Sequence, residues 1–378
     1  MKIIIAPDSF KGSLTAQEAA SAIERGVRVV LPDAEIDTIP MADGGEGTLK
    51  ALVSSTNGEF REIEAVDPLG RPMKGKYGVL GNSKTAVIEM AAVSGLLLLK
   101  KEERNPLNTT TYGTGQLIRH ALECGYREFI IGIGGSSTND CGTGMAQALG
   151  VRFFRKDKTK ITKKMCGGLL EEVAAINMSG LLPAIQHSHI TAACDVKNPL
   201  LGQTGCTLIY SRQKGATPEI VDRLEKNMRS FIDVAEKGIG RSVRDIPGAG
   251  AAGGLGAGLI LFLGAELQPG VGIVMDVSNF SERIKDADLI LTGEGKIDNQ
   301  TAFGKTIAGI ALQAKFAKIP VIAFGGIVEN ADKLHELGVT DIFPISQTSV
   351  SIEQVMAEAP MLLQNTVERV MQKYKKKP

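Results

Sequence analysis

The sequence predicts an α/β protein whose parallel sheet is built from both ends of the chain. Short apolar segments alternate with amphipathic helical segments from residue 2 to residue 54, and the same rhythm returns from residue 288 to the end. Such a βα rhythm requires parallel strands. Between these stretches, residues 60–99 change to short alternating segments punctuated by glycine, which is typical of antiparallel hairpins. The middle of the chain is therefore expected to form a second domain.

The elements follow from the period of the apolar residues and from the residues that punctuate them. A helix is expected to open at Ser13 or Thr15, after the first strand. The predicted strands are 2–6, 35–40, 129–132, 191–195, 288–292, 320–324 and 341–344, and the predicted helices are 48–54, 115–123, 142–149, 218–237, 304–317, 330–337 and 351–375. The expected domains are residues 1–60 with 286–378, and residues 61–285, with the active site in the cleft between them.

Composition excludes several classes of protein. The 378 residues carry 43 basic and 42 acidic side chains, so no overall charge favours nucleic acid or an anionic membrane. Five scattered cysteines without a CxxC pair argue against a disulfide framework or a zinc site and fit a reducing cytoplasm. Residues 248–265 are uncharged but rich in glycine, which indicates a buried loop and helix rather than a membrane span.

The predicted strands end repeatedly in glycine combined with small polar or acidic residues. Glycine at the carboxyl ends of parallel strands lets backbone N–H groups approach phosphate, and a following helix N-terminus favours the anion. Carboxylates at the same edge are suitable ligands for Mg²⁺. The segments with this composition are 8–13, 43–46, 134–140 and 293–298.

Each of these segments also has a purely structural interpretation. Ser13 is better explained as a helix cap. Six small or polar residues from Gly134 to Asn139 exceed what a turn needs, and so does the combination of Glu294, Lys296 and Asp298. These two segments are predicted to be functional.

The usual nucleotide motifs are absent or lie in a poor context. No GxxxxGK[ST] occurs, which argues against a P-loop. Residues 248–253 match GxGxxG but follow Arg244–Pro247 rather than an apolar strand, so a phosphate cradle or tight helix packing explains them as well as a dinucleotide site does. No histidine lies in a glycine-rich turn, and no HExxH or GxSxG occurs. Phosphoryl transfer, which needs positioning, Mg²⁺ and cations, suits the remaining groups better than histidine-based hydrolysis.

Seven blocks give the sequence a specific resemblance to the type 1 glycerate kinase family. They occur in the family's order across nearly the whole chain: IAPDSFKGSL (5–14), PMADGGEGT (40–48), GIGGSSTNDCGTGM (132–145), CDVKNPLLG (194–202), QKGATPE (213–219), PGAGAAGGLGAG (247–258) and LTGEGKIDNQTAFGKT (291–306). The resemblance implies a doubly wound, flavodoxin-like domain and a second mixed α/β domain. It also implies transfer of phosphate from ATP to D-glycerate. Arg212 and Lys197 depart from the family pattern, which leaves fine substrate preference open.

We expect in-line transfer with Mg²⁺, and the resemblance favours 2-phosphoglycerate as the product, with 3-phosphoglycerate as the alternative. A small-acid sensor and an NAD-linked oxidoreductase are the rival interpretations, and a homodimer is compatible with the size of the chain. Asp195 is the expected base and Asp298 the second choice. The candidate residues are, for catalysis, Asp195, Asp298 and Lys11; for substrate, Asp8, Ser9, Lys296 and Lys305; for ATP phosphates, Gly134, Gly135, Ser136, Ser137, Thr138, Asn139, Gly250, Gly253 and Gly254; and for metal, Asp43, Glu46, Glu294 and Asp298.

Overall fold

A computed structural model of the chain describes residues 1–42, 48–302, 306–346 and 351–375. The chain divides into two compact units. Unit 1 consists of Met1–Asp43, Lys50–Ser55 and Val271–Pro378, and unit 2 consists of Gly44–Leu49 and Thr56–Gly270. Unit 1 therefore combines both chain ends, and its C-terminal stretch starts at Val271 rather than at the expected residue 286.

The elements alternate along most of the chain. In chain order, the strands are β1 (Lys2–Ile5), β2 (Glu35–Thr38), β3 (Glu59–Val66), β4 (Pro72–Val79), β5 (Thr85–Glu89), β6 (Glu128–Gly132), β7 (Arg152–Phe154), β8 (Ala175–Asn177), β9 (His189–Ala193), β10 (Glu266–Gln268), β11 (Leu289–Ile297), β12 (Val321–Val328) and β13 (Asp341–Pro344). The α-helices are α1 (Ala16–Val30), α2 (Thr48–Ser55), α3 (Ala91–Ser94), α4 (Tyr112–Glu123), α5 (Thr143–Ala148), α6 (Cys206–Tyr210), α7 (Pro218–Ile239), α8 (Ala251–Leu263), α9 (Gly270–Val277), α10 (Phe280–Arg283), α11 (Thr306–Ala317), α12 (Asp332–Leu337) and α13 (Ile352–Lys375).

Unit 1 contains a parallel sheet in the order β13-β12-β11-β1-β2. Its strands numbered along the unit give the order 2-1-3-4-5 of a flavodoxin-like, doubly wound sheet. The predicted fold class is confirmed. The strand order reverses between β1 and β11, where Ile5 pairs with Leu291. Ligands of open α/β sheets bind beyond the carboxyl ends of the strands at such a switch point.

Helices cover the sheet of unit 1 on both faces. α1 and α13 share one core cluster with the strands, in which Ile23 and Val367 are fully buried, whereas α11 packs through Ile307 into a separate cluster. A capping box starts α1, because the Thr15 hydroxyl accepts the Glu18 N–H at 3.2 Å while the Glu18 carboxylate accepts the Thr15 N–H at 2.8 Å. Thr15, not Ser13, is therefore the cap of α1.

Unit 2 is organised around a mixed sheet in the order β10-β9-β6-β5-β4-β3. β3, β4 and β5 pair antiparallel in succession, as the glycine-punctuated segment predicts. β5, β6, β9 and β10 are mutually parallel, so their carboxyl ends lie at one edge. β7 and β8 form a separate antiparallel pair that the sequence did not predict. The uncharged helix α8 is buried almost throughout, and no helix in the described ranges is long and apolar enough to cross a membrane.

Candidate functional site

The switch point of unit 1 holds a buried aspartate. Asp8 lies three residues beyond β1 and is 8% exposed. Its backbone N–H donates to the Gly293 carbonyl of β11 at 2.8 Å, which keeps the segment beside that strand. Its Oδ2 accepts the hydroxyl of Thr306, the first residue of α11, at 2.5 Å. The predicted site residue Asp8 is thus fixed beyond the carboxyl end of β1, beside Gly293 of β11.

A second buried carboxylate lies on β11 itself. The sequence predicted that this strand ends at Thr292, but β11 continues through Ile297 and pairs with β12 over this stretch. Because Glu294 and Lys296 are alternate residues of this strand, their side chains lie on the same face of the sheet. Glu294 is 8% exposed, and its Oε1 accepts the Thr301 hydroxyl.

Lys296 is exposed near the end of β11, and Asp298 follows the strand and is half-buried. Asp298 Oδ1 accepts the Gln300 N–H at 2.8 Å, which is the local bond of a turn-forming aspartate. Lys296 Nζ lies 3.6 Å from Asp298 Oδ2 and 3.0 Å from Glu329 Oε2. The Glu329 hydrogen bond and charge raise the pKa of Lys296 above its usual value, with a smaller contribution from Asp298. Lys296 therefore carries a full positive charge at neutral pH.

The positions of the other candidate residues of unit 1 do not indicate a particular role. Lys11 is exposed in the turn bounded by the Phe10–Leu14 bridge, and Ser9 is half-buried beside Asp8. Asp43, Glu46 and Lys305 lie outside the described residues. Within the described residues, no group of three or more His, Cys, Asp or Glu side chains is arranged to hold a metal ion by itself.

In unit 2, the segment Gly134–Asn139 leaves the carboxyl end of β6 and divides into two parts. Gly134 and Gly135 are exposed, and Ser136 is 9% exposed. The next three residues turn inward and hold the segment in place. Ser137 Oγ donates to the Ser94 carbonyl at 2.9 Å, the Ser137 carbonyl accepts the Thr109 hydroxyl at 2.9 Å, and Asn139 Nδ2 donates to Thr207 Oγ1 at 3.2 Å. Residues 137–139 therefore hold the segment in place, and Gly134 and Gly135 are its accessible part.

The second glycine-rich segment packs directly against the first. Ala252, Gly253 and Gly254 at the start of α8 have φ values of 54°, 67° and 85°, so the chain makes a left-handed turn. A Cβ on Gly253 would lie 2.0 Å from the Thr138 carbonyl oxygen, and the Gly253 carbonyl accepts the Cys141 N–H at 3.1 Å. Gly250, Gly253 and Gly254 are all buried. These contacts favour tight packing over the phosphate cradle that the sequence allowed.

The GxGxxG match also lacks the structural context of a dinucleotide site. Residues 241–247 before it form no strand, and β10 comes only after α8. The motif requires a strand that leads into the glycine-rich turn. The geometry of these residues gives no support to the oxidoreductase interpretation.

Asp195 lies at the same edge, two residues beyond β9. β6 and β9 are parallel neighbours in which Gly132 pairs with Ala193, so Gly134 and Asp195 follow adjacent strand ends. Asp195 is exposed, and its Oδ1 accepts the Gly270 N–H at 2.9 Å. The Gly270 contact fits the alternative role of Asp195 as a turn or cap residue, while the side chain stays accessible to a substrate.

Lys214 is a site residue that the sequence did not reveal. It ends the short 3₁₀ turn Arg212–Lys214 and is 2% exposed. Its Nζ donates to Ser136 Oγ at 2.8 Å and to the Thr138 carbonyl at 2.7 Å. Burial lowers the pKa of Lys214 to about 8, although the fields of Cys206 and Asp140 oppose this effect. The only sequence signal was its place in the block QKGATPE, because a lysine beside glycine is ordinarily a surface residue.

Asp140 anchors the same loop to the helices behind it. It is fully buried, and its Oδ2 accepts the Thr111 N–H at 2.9 Å and the Thr111 hydroxyl at 2.8 Å. Burial raises the pKa of Asp140, although the hydrogen bonds from Thr111, Gly144 and Gly142 favour its ionised form. Asp140 thus has a structural role in a segment whose exposed part is the candidate site.

Comparison with known proteins finds similarity over nearly the whole chain. Residues 3–375 match the model of the glycerate kinase family. The chain is 48% identical to a glycerate kinase of Halalkalibacterium halodurans, with 97% of each chain covered, and 44% identical to a glycerate 2-kinase of Escherichia coli, with 95% and 94% covered. A crystal structure of a putative glycerate kinase 2 from Salmonella typhimurium LT2 is similar, with a TM-score of 0.90, 42% identity, and 99% and 98% covered.

The fold, the strand-end groups and these matches define the chain as a kinase, an enzyme that transfers a phosphoryl group. More specifically, the chain belongs to the glycerate kinase family. The resemblance that the seven sequence blocks predicted is confirmed, and so is the predicted class of enzyme.

Proposed function

We propose that this chain phosphorylates D-glycerate with ATP and Mg²⁺ and forms 2-phosphoglycerate. The observation that carries the proposal is full-length similarity, at 44–48% identity, to proteins named glycerate kinase or glycerate 2-kinase. The word "2-kinase" belongs to the Escherichia coli relative and favours the 2-hydroxyl over the 3-hydroxyl as the acceptor in this chain.

We assign the ATP phosphates to the exposed part of the loop after β6. Gly134 and Gly135 have no side chain to keep a phosphate away from the backbone, and the next residue, Ser136, accepts the Lys214 ammonium through its hydroxyl. Lys214 supplies a positive charge from below this loop. Phosphoryl transfer depends mainly on positioning and on stabilising negative charge, and these groups supply both.

Glu294 and Asp298 suit the binding of Mg²⁺. Magnesium typically keeps several waters and takes one or two carboxylates together with phosphate oxygens, so it does not need a cluster of three protein ligands. The Glu294 carboxylate is almost buried and accepts one hydroxyl, which gives it a fixed orientation at the end of the sheet. When bound, the metal would neutralise charge on the phosphates.

Asp195 is the proposed acceptor of the hydroxyl proton of glycerate. A base must be accessible and held in place, and Asp195 is exposed while the Gly270 N–H holds its Oδ1. Asp8, Ser9, Lys11 and Lys296 remain candidates to orient the substrate, with Asp8 fixed by Thr306 and Lys296 charged.

Phosphorus NMR of the product of ATP and D-glycerate tests this proposal. We expect the resonance of a 2-phosphate ester and a matching amount of ADP. A 3-phosphate ester would reverse the assigned position. Binding of glycerate without any phosphate ester would favour the sensor interpretation, and turnover of NAD with glycerate would favour the oxidoreductase.

A further inference from the structure

Lys214 is a buried cation with neutral partners. Its side chain is 2% exposed, and its two hydrogen bonds go to a serine hydroxyl and a backbone carbonyl. Among the ion pairs of the described residues, none includes Lys214. Asp140 and Cys206 are the titratable groups whose fields reach it.

Such an arrangement is costly if its only purpose is to hold the loop. Burying a charged group away from water is unfavourable unless an opposite charge or a full set of hydrogen bonds offsets the loss of hydration. A neutral side-chain amide or hydroxyl would donate to Ser136 and Thr138 at a lower cost. The two hydrogen bonds therefore do not explain why a charged side chain is buried at position 214.

The loop above Lys214 also has unsatisfied polar atoms. Thr138 Oγ1 and Asn139 Oδ1 are buried, and neither has a hydrogen-bond partner among the described residues. Buried polar atoms of native proteins are nearly always satisfied, and of these two only the Thr138 hydroxyl can donate to an anion, so this orphaned hydroxyl points to a site that is completed by a ligand. An anion on Gly134–Ser136 would supply the negative charge that Lys214 lacks.

We propose that Lys214 is a positioning residue for the nucleotide, which holds the phosphate-binding loop through Ser136 Oγ and the Thr138 carbonyl and attracts the phosphates from beneath it. This inference rests on the proposed function, because it takes the loop to be the site of the ATP phosphates. Lys214 does not contact the reacting atoms in this arrangement. Its effect is therefore on ATP affinity rather than on the affinity for glycerate.

The test compares three single variants, and the double variant of Lys214→Met with Ser136→Ala, with the wild type by calorimetric titration of ATP and by steady-state kinetics. Lys214→Met removes the charge and both donors while keeping the length of the side chain. Ser136→Ala removes only the hydroxyl acceptor. Tyr77→Phe is the control for loss of a buried hydrogen bond in unit 2, because the Tyr77 hydroxyl bonds His120 Nδ1 at 3.0 Å and does not touch the loop.

We expect Lys214→Met to weaken ATP binding at least 10-fold and to change the KM for glycerate less than threefold. Ser136→Ala should weaken ATP binding by a smaller factor, and the double variant should bind ATP no more weakly than Lys214→Met alone, because residues that act through one another are not additive. Tyr77→Phe should bind ATP like the wild type.

The outcomes separate this inference from the proposed function. An inactive wild type would refute the proposed function, whatever the variants do. An active wild type with ATP affinity within twofold of normal in folded Lys214→Met would overturn the role of Lys214. If Lys214→Met does not fold, Ser136→Ala decides, and unchanged ATP affinity there overturns the proposal. Equal weakening of ATP and glycerate would also contradict it, since that pattern indicates a general structural defect.

Discussion

Replacing Gly253 by alanine should damage both stability and nucleotide binding. Gly253 has a φ of 67°, and a side chain in this left-handed region costs about 1–2 kcal/mol. The added Cβ would also lie 2.0 Å from the Thr138 carbonyl oxygen, so the buried loop must move. Overpacking of this kind costs about 1–3 kcal/mol. The free energy of unfolding should therefore fall by about 2–5 kcal/mol.

Gly202→Ala is the matched control, because Gly202 has a φ of 89° and no atom within 4 Å of the added Cβ. It should cost only about 1–2 kcal/mol, the part that comes from the backbone. Urea denaturation of both variants isolates the clash with the loop as the difference between them. Because the clash moves the carbonyl that Lys214 binds, Gly253→Ala should also raise the KM for ATP, whereas Gly202→Ala should not. Equal stability of the two variants would refute the packing argument.

Three further predictions concern the base, the metal and the pH dependence of stability. Asp195→Asn keeps an oxygen to accept the Gly270 N–H, so the fold should persist. The loss of the base should lower kcat by about 10²–10⁴-fold. A normal kcat would show that Asp195 is only a turn residue. Treatment with EDTA should abolish turnover and Mg²⁺ should restore it, so full activity after complete chelation would contradict the proposed metal. For Glu236, burial raises the pKa, but the Arg244 side chain and the backbone N–H groups of Val243 and Arg244 outweigh it and lower the pKa to about 2. This carboxylate therefore contributes stability above about pH 4.5 that is lost as the pH falls towards 2. In urea titrations, Glu236→Gln should lower the free energy of unfolding by about 3 kcal/mol at pH 7 and by progressively less towards pH 2.

The fold class and the family could be predicted from the sequence alone. Periodic apolar segments identified the βα rhythm at both chain ends, because burial on a sheet or against a helix imposes a period on the side chains. The seven blocks identified the family, since long glycine- and acid-rich segments rarely recur by chance. The same composition located the strand ends at Asp8, Gly134 and Asp195, where open sheets bind their ligands.

Contacts between residues far apart in the chain determine which of these segments are exposed and which are buried. Sequence could not show that β11 runs through Glu294, because the residues from Gly293 to Ile297 have the composition of a turn and only pairing with β12 makes them a strand. It could not divide residues 134–139 into an exposed and a buried part, which depends on contacts with Ser94 and Thr207. Lys214 could not be predicted as a site residue for the same reason. Its burial and its contact with Ser136 depend on residues distant in sequence, and the local sequence around it gives no sign of them.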